Sequence, residues 1–258
     1  MKTTIRSPRH DRLSCLGSRR LRQGRVVLVA LLWSLALASQ AAVTDGFTAK
    51  FDVHRGKLGL GTTEFSLAND TSPNCYIYRG RADPNALVRL FLGDVRDESR
   101  FCVEDDALRP SHYSHRIQGD DKKSYTLDFD WAAGQVHYAN KQGTRQTLPL
   151  AGDELDPLSI QIAARRWVAE APDPDTLAET AFRLVDEDEI KTYRLRATDG
   201  GTISTPGGRY DTLRVDRVDD NKRLSFWLAR NADWIPVRVE QQKGDGAIIQ
   251  MNLTSLER

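Results

Sequence analysis

The stretch Leu224-Ser-Phe-Trp-Leu-Ala229, followed by Trp234-Ile-Pro-Val-Arg-Val-Glu240, has the alternation of two paired β-strands joined by a short turn. Two-residue periodicity places Phe226 and its leucine neighbours on one face and Trp227 on the other. A tryptophan opposite the core face lines an open second face of a curved sheet, or lies under the helix or another strand pair. Trp227 is our candidate ligand-binding residue, and both interpretations remain open.

The same alternation recurs along the chain, with turns rich in Gly, Asp and Asn. A spacing of about ten residues between these segments predicts an antiparallel meander rather than alternating strands and helices. The predicted strands cover residues 47–53, 58–67, 75–81, 95–103, 111–118, 124–129, 135–139, 145–148, 182–185, 191–197, 202–204, 210–218, 224–229, 235–241 and 247–253. Gly59 and Gly61 lie within a strand pattern and are followed by no helix, so they predict a bulge or a tight strand bend rather than a phosphate-binding loop.

The periodicity changes at Asp156-Pro157, a capping residue followed by proline, and predicts one main helix over residues 156–168. Its broad apolar face should lie against the sheet, with Ile162 and Trp167 nearly buried. A second, short helix is predicted over residues 86–92. The predicted fold is mainly β, with a single large, strongly curved, half-barrel-like antiparallel sheet packing on one main α-helix.

Residues that carry chemistry are few, and none forms a recognisable catalytic or metal-binding motif. His112 and His115 have the spacing of some metal ligands, but three positions along a strand send them to opposite faces. The chain has no G-x-S-x-G nucleophile motif. Arg165-Arg166 fits either an anion clamp or a charge pair that is favoured at a helix C-terminus. We predict no catalytic residue, no metal site and no cofactor.

The N-terminal region has the pattern of a signal peptide. A stretch containing eight Lys/Arg precedes the apolar run 26–38, and Ser39-Gln40-Ala41 fits the small-x-small cleavage rule. The apolar run is shorter than the roughly 20 residues that span a bilayer, so cleavage is favoured over an uncleaved anchor. We expect residues 1–41 to be removed and residues 42–258 to form one β-rich domain. The mature protein is then periplasmic or, alternatively, secreted, and not an integral membrane protein.

Cysteine usage fits this compartment. Cys15 lies in the predicted signal peptide, which leaves Cys75 and Cys102 in the mature chain. An even pair in an exported protein predicts a disulfide bond. The alternative is two buried thiols, but the alternation around Cys102 places it on a charged strand face, which is unusual for a structural thiol.

The charge balance argues against nucleic-acid binding. The whole chain has a formal net charge of +1, but residues 42–258 hold 29 bases and 35 acids. The net charge of these residues is −6, whereas proteins that bind nucleic acids usually carry an excess of basic residues.

Four features in order resemble the bacterial exported family known as domain of unknown function 3108. They are the hairpin with Gly56 and Gly59-Leu-Gly61, the turn Leu108-Arg-Pro110, the helix start Asp156-Pro-Leu-Ser159, and the hairpin Trp227-Leu to Trp234-Ile-Pro-Val-Arg-Val-Glu240. The resemblance covers roughly residues 47–254 and implies an exported β-rich protein without an assigned activity. At the level of fold alone, the predicted fold of this chain is also similar to that of lipoprotein carriers, in which a curved antiparallel sheet wraps a helix.

These observations favour a non-enzymatic periplasmic protein that binds a lipid or other hydrophobic ligand or assists envelope biogenesis. One alternative is a structural or protein-interaction domain with a filled core, whose partner is an envelope protein. A second alternative is an envelope enzyme without a recognisable motif.

Overall fold

Alternating apolar and polar residues produce β-strands along most of the chain. The computed structural model describes residues 45–89, 93–218 and 222–258. The predicted signal peptide, with Cys15, lies outside the described residues. The first eight strands are β1 (Phe47–Arg55), β2 (Leu58–Asn69), β3 (Cys75–Pro84), β4 (Val95–Glu104), β5 (Ala107–Ile117), β6 (Tyr125–Asp130), β7 (Gln135–Asn140) and β8 (Arg145–Pro149). The others are β9 (Glu154–Leu155), β10 (Thr180–Asp186), β11 (Glu189–Thr205), β12 (Gly208–Arg217), β13 (Lys222–Ala229), β14 (Pro236–Lys243) and β15 (Ile249–Glu257).

All 15 strands belong to one sheet, in the order β8-β7-β6-β5-β4-β3-β2-β1-β15-β14-β13-β12-β11-β10-β9. Neighbouring strands are antiparallel except β9 and β10, which are parallel. The first and last long strands, β1 and β15, pair in the middle of the sheet. The prediction of a mainly β fold with one large antiparallel sheet is confirmed.

The sheet curves so that strands from its two halves approach each other. The Gln146 side chain of β8 donates a hydrogen bond to the Asp188 carbonyl, in the turn after β10, at 3.1 Å. Register shifts interrupt several pairings, and such bulges bend a strand and increase its twist. One of them lies where Val53 and His54 of β1 face Gly61 and Gly59, as predicted for these glycines. Gly61 has a φ of +146°, and a Cβ atom there would meet the Asp83 carbonyl oxygen of β3 at 2.3 Å.

Helix α1 (Ala86–Arg89) falls within the predicted short helix, and helix α2 (Ser159–Ala169) is the predicted main helix. The Asp156 carboxylate accepts hydrogen bonds from the backbone N–H groups of Leu158 and Ser159 at 2.8 and 2.9 Å. Asp156 therefore binds backbone N–H groups at the helix start, as expected of a capping residue, but the N-cap position is Leu158 and the helix begins at Ser159, so the predicted start with Pro157 as first helical residue was wrong. Ile162 has no exposed surface, as expected, whereas Trp167 is only half-buried. The prediction for Trp167 was wrong: it packs against the apolar cluster that contains Val168 and Leu195 but keeps part of its surface exposed.

Two further differences concern the sheet. The predicted strands 191–197 and 202–204 are one long strand, β11, with a register shift between Asp199 and Gly201. Strand β9 was not predicted because two residues carry no periodicity.

Among the described residues, no helix has the length and apolar character needed to cross a membrane.

Candidate ligand-binding cleft

The candidate site lies between helix α2 and the inner face of the sheet, which is the face that carries Phe47 and Tyr78. The Tyr78 hydroxyl donates a hydrogen bond to the Gln161 side-chain oxygen of α2 at 3.1 Å. Ile162, on the next position of the helix, belongs to the apolar core with Phe47. These contacts fix one face of α2 on the sheet and leave apolar space beside it.

Two apolar cavities of about 190 Å³ each occupy this space. The first is lined by Phe47, Ala49, Phe51, Phe65, Tyr78, Gln161, Leu224, Phe226, Ile235, Pro236, Val239, Gln241 and Met251. The second is lined by Pro157, Ile160, Gln161, Ala164, Leu184, Asp186, Tyr193, Leu195, Val215, Arg217, Leu224, Phe226, Leu228 and Pro236.

The two cavities share a wall made of Gln161 from α2, Leu224 and Phe226 from β13, and Pro236 from β14. Each cavity is smaller than the roughly 300 Å³ at the lower end of small-molecule pockets. Taken together along their shared wall, they reach that range. The two cavities are thus neighbours, and Phe226 contributes to the lining of both.

Polar side chains occupy one end of the second cavity. The Arg217 guanidinium stacks on the Tyr193 ring at 3.5 Å from its centre. The Tyr193 hydroxyl donates to the Asp186 carboxylate at 3.3 Å, and Lys191 also contacts this carboxylate, at 2.8 Å. Burial and the neighbouring Asp186 charge raise the pKa of Tyr193, so its hydroxyl stays protonated at neutral pH. A ligand in this cavity would have an apolar body and a polar end.

Trp227 lies on the outer face of the sheet, between two arginines. The guanidinium carbons of Arg214 and Arg238 are 5.0 and 6.0 Å from its ring centre. The tip of the β11–β12 hairpin covers this area, because Arg238 donates to the Ser204 carbonyl at 3.2 Å. Trp227 is 9% exposed and lines neither apolar cavity. The covering strand pair that we considered from the sequence is therefore present. The proposed contact of Trp227 with a ligand stays a prediction.

Arg165 is buried in the core, whereas the sequence suggested either an anion clamp or a pair of helix-terminal charges. Its guanidinium lies 4.9 Å from the Phe47 ring centre and donates one hydrogen bond to the Asp233 carbonyl at 2.9 Å. The Nε and Nη1 atoms have no hydrogen-bond partner in the described part of the chain. Burial lowers the pKa of Arg165 to about 10, against the opposing effects of Tyr78 and Asp233. Arg166, by contrast, forms a helical ion pair with Glu170 at 2.8 Å.

The two predicted histidines pair with different carboxylates. His112 Nδ1 lies 2.6 Å from Asp128, and His115 Nδ1 lies 2.6 Å from Asp97. They do not converge on a shared site. Within residues 45–89, 93–218 and 222–258, no three His, Cys, Asp or Glu side chains gather as metal ligands would.

The predicted disulfide bond is present. Cys75 and Cys102 stand directly opposite each other on β3 and β4 and are bonded, with an S–S distance of 2.04 Å. The bond ties the start of β3 to the far end of β4, on the half of the sheet away from Trp227.

The fold is thus a mainly β protein with one curved sheet and a helix on its inner face. The chain belongs to the family described as "Protein of unknown function (DUF3108)", whose profile matches residues 50–254. The resemblance noted in the sequence is therefore confirmed.

Among solved structures, the chain is similar to a β-barrel-like protein of domain of unknown function DUF1849 from Brucella abortus. The two sequences are 13% identical, with a TM-score of 0.49, and the match covers 82% of this chain and 97% of the other. No curated protein sequence matches the chain.

The sequence already indicated the inner face of β13, because Phe226 and the leucines on either side alternate with polar or outward residues. It did not indicate a cavity there. The gap depends on how far α2 stands from the sheet, and residues distant in sequence, such as Tyr78 and Gln161, set that distance.

Proposed function

We propose that this protein binds a hydrophobic ligand in the cleft between α2 and the inner face of the sheet. The observation that carries the proposal is the wall shared by the two apolar cavities, centred on Phe226. Apolar pockets with a few polar groups at one end are typical of small-molecule binding sites. The role is one of binding rather than catalysis, and the ligand is lipid-like, with a slender apolar chain.

The polar end of the second cavity supports this ligand class. Asp186, Tyr193 and Arg217 line the same cavity as Leu195 and Leu228. A polar head placed beside these groups keeps hydrogen bonds while the chain gains apolar contacts. Each buried methylene contributes about 0.8 kcal/mol, so a chain of modest length provides useful affinity.

We further propose that the protein acts in the periplasm or outside the cell, after removal of residues 1–41, as one domain over residues 42–258. The pattern of the N-terminal sequence and the Cys75–Cys102 bond support this location, since disulfides persist in oxidising compartments. Sequencing the N-terminus of protein recovered from the periplasm tests it. Ala42 as first residue supports the proposal, and a full-length chain in the cytoplasm contradicts it.

Titration with an uncharged fluorescent probe, N-phenyl-1-naphthylamine, tests the binding proposal. Ala164→Leu adds three carbon atoms to the wall of the second cavity, and Ala181→Leu makes the same change at an exposed position of β10. We expect saturable binding by the wild type, a loss of affinity of at least about fivefold in Ala164→Leu, and no change in Ala181→Leu.

Native mass spectrometry of protein purified from the periplasm provides the second measurement. A bound species whose mass is that of a lipid, retained by Ala181→Leu and lost from Ala164→Leu, supports the proposal. A wild type that neither binds the probe nor carries such a mass contradicts it and favours a structural domain with a filled core.

A further inference from the structure

Three arginines form a row on the outer face of the sheet, across three adjacent strands. Arg81 of β3 stands directly opposite Arg96 of β4, and Arg96 stands directly opposite Arg116 of β5. Residues paired in this way have Cβ atoms about 5 Å apart, and like charges placed there are destabilising. A row of three such cations therefore calls for negative charge close by.

These arginines line an open cavity of about 420 Å³, which is separate from the apolar cleft. The arginines and carboxylates among its lining residues are Glu64, Arg79, Arg81, Arg96, Asp97, Glu98 and Arg116. The Asp97 carboxylate contacts Tyr113 and His115, the latter on the opposite face of β5 from Arg116. Four arginines thus face this cavity with the carboxylates of Glu64 and Glu98.

Those carboxylates already have cationic partners. Glu98 pairs with Arg79 at 2.8 Å and with Arg100 at 3.0 Å. Glu64 lies 3.8 Å from Lys50 of β1. In the described part of the chain neither carboxylate lies within ion-pair distance of the three arginines, although Glu64 of β2 stands directly opposite Arg81.

Two of the three arginines in the row, Arg81 and Arg96, have carboxylate partners of their own. Asp83 pairs with Arg96 at 2.8 Å and with Arg81 at 3.4 Å. Asp94 adds a longer contact to Arg96 at 3.6 Å. Arg116 is exposed and has no ion-pair partner among the described residues. The positive charge of the row is therefore least compensated at Arg116.

We propose that this outer cavity binds a phosphate group, held between Arg81 and Arg116 above Arg96. Adjacent strands are about 4.8 Å apart, so β3 and β5 lie about 10 Å apart, and the long side chains of their arginines can close on one group. The planar guanidinium fork matches phosphate oxygens with paired hydrogen bonds. The Arg96 guanidinium is held by Asp83 and by the carbonyl oxygens of Ala82 and Val95, so the hydrogen bonds to the anion come from Arg81 and Arg116.

Calorimetric titration of the intact protein with inorganic phosphate, at constant ionic strength, tests the proposal. Arg116→Gln removes the unpaired cation, and Arg209→Gln makes the same change at an exposed position of β12, in the other half of the sheet. We expect Arg116→Gln to weaken phosphate binding by at least about fivefold and Arg209→Gln to leave it unchanged.

The melting temperatures of the variants show whether a loss of phosphate binding results from a loss of folding stability. Arg116→Gln removes a like-charge neighbour of Arg96, so its melting temperature should equal or exceed that of the wild type. Absence of saturable phosphate binding by the wild type, or equal loss in both variants, overturns the proposal.

A second arm identifies the source of the phosphate. Vesicles of phosphatidylcholine with phosphatidic acid are compared with glycerol 3-phosphate in solution. Binding of the vesicles that Arg116→Gln abolishes supports a lipid headgroup. Binding of glycerol 3-phosphate without vesicle binding supports a soluble phosphate ester. Since this site and the apolar cleft lie on opposite faces of the sheet, either proposal can fail without the other.

Discussion

Glu154 and Asp156 are separated by one residue and both are fully buried, yet their carboxyl pKa values shift in opposite directions. Burial opposes ionisation of both. At Glu154, hydrogen bonds from backbone N–H groups at residues 151–153 and the ion pair with Arg183 outweigh burial and lower the pKa. At Asp156, burial outweighs the hydrogen bonds from Ser99 and the helix start, and the pKa is raised.

The first prediction concerns Asp156→Asn. Because the folded carboxyl holds its proton more tightly than the unfolded one, the wild type binds more protons when folded, and its stability falls as pH rises. The asparagine variant lacks this titration. We therefore expect the free energy of unfolding of the wild type, minus that of Asp156→Asn, to decrease from about pH 4 to pH 7 in urea titrations. A difference that rises over this range would contradict the direction of the shift.

The second prediction concerns Glu154→Gln, and its slope is opposite. The folded Glu154 carboxyl has a lowered pKa, so its contribution to stability is present above the unfolded pKa and is lost as pH falls through the folded one. At neutral pH the variant should be less stable by about 1–3 kcal/mol, because it weakens the loop hydrogen bonds and the contact with Arg183. The difference in the free energy of unfolding between the wild type and Glu154→Gln should disappear under acidic conditions. A gap independent of pH would show that the carboxylate charge makes no contribution.

The third prediction concerns the disulfide. The cysteines are 27 residues apart in sequence, so removal of the bond in the double variant Cys75→Ser, Cys102→Ser should lower the free energy of unfolding by about 3–4 kcal/mol. The fold should survive, because a chain of this size buries its own core. Denaturant unfolding and circular dichroism measure both effects. Free alkylation of both thiols in unreduced native protein would show that the bond does not form.

The fourth prediction compares two isoleucines of α2. Ile162 has no exposed surface, whereas Ile160 is half-buried and lines the second cavity. Ile162→Ala should lower the free energy of unfolding by about 2–5 kcal/mol, and Ile160→Ala should cost clearly less. Equal losses would mean that the helix packs on the sheet through a different face.

The fifth prediction separates the two faces of β13. Trp227→Ala removes the ring between Arg214 and Arg238 and should lower the free energy of unfolding by about 3–5 kcal/mol. Binding of N-phenyl-1-naphthylamine should be unchanged, because Trp227 lines neither apolar cavity. If the variant instead keeps its stability and loses the probe, Trp227 is the ligand-binding residue suggested by the sequence.

Most of the fold follows from local patterns. The alternation of apolar and polar residues located nearly all the strands and the face on which each side chain lies. This is because side chains alternate between the two faces of a strand, so burial of one face fixes which residues point inward. The cap at Asp156 was equally visible, since its residue type and the following proline have a local physical cause.

Features that depend on distant residues were not predictable. Arg165 lies on a helix face whose partners, Phe47 and Asp233, are far away in sequence. The row formed by Arg81, Arg96 and Arg116 appears only when the registers of three strands are known. In the sequence these arginines are ordinary charged positions of separate hairpins.

The central pairing of β1 with β15 sets the order in which the molecule can be assembled. A chain that emerges N-terminus first, from a ribosome or a membrane pore, can build β1 to β8 by successive hairpins. One edge of β1 must then wait until β15 has been delivered, and an unpaired edge invites association with other chains. Contacts between the two ends of a chain are slow to form. During synthesis, therefore, β1 keeps one unpaired edge until the last strand of the chain has formed.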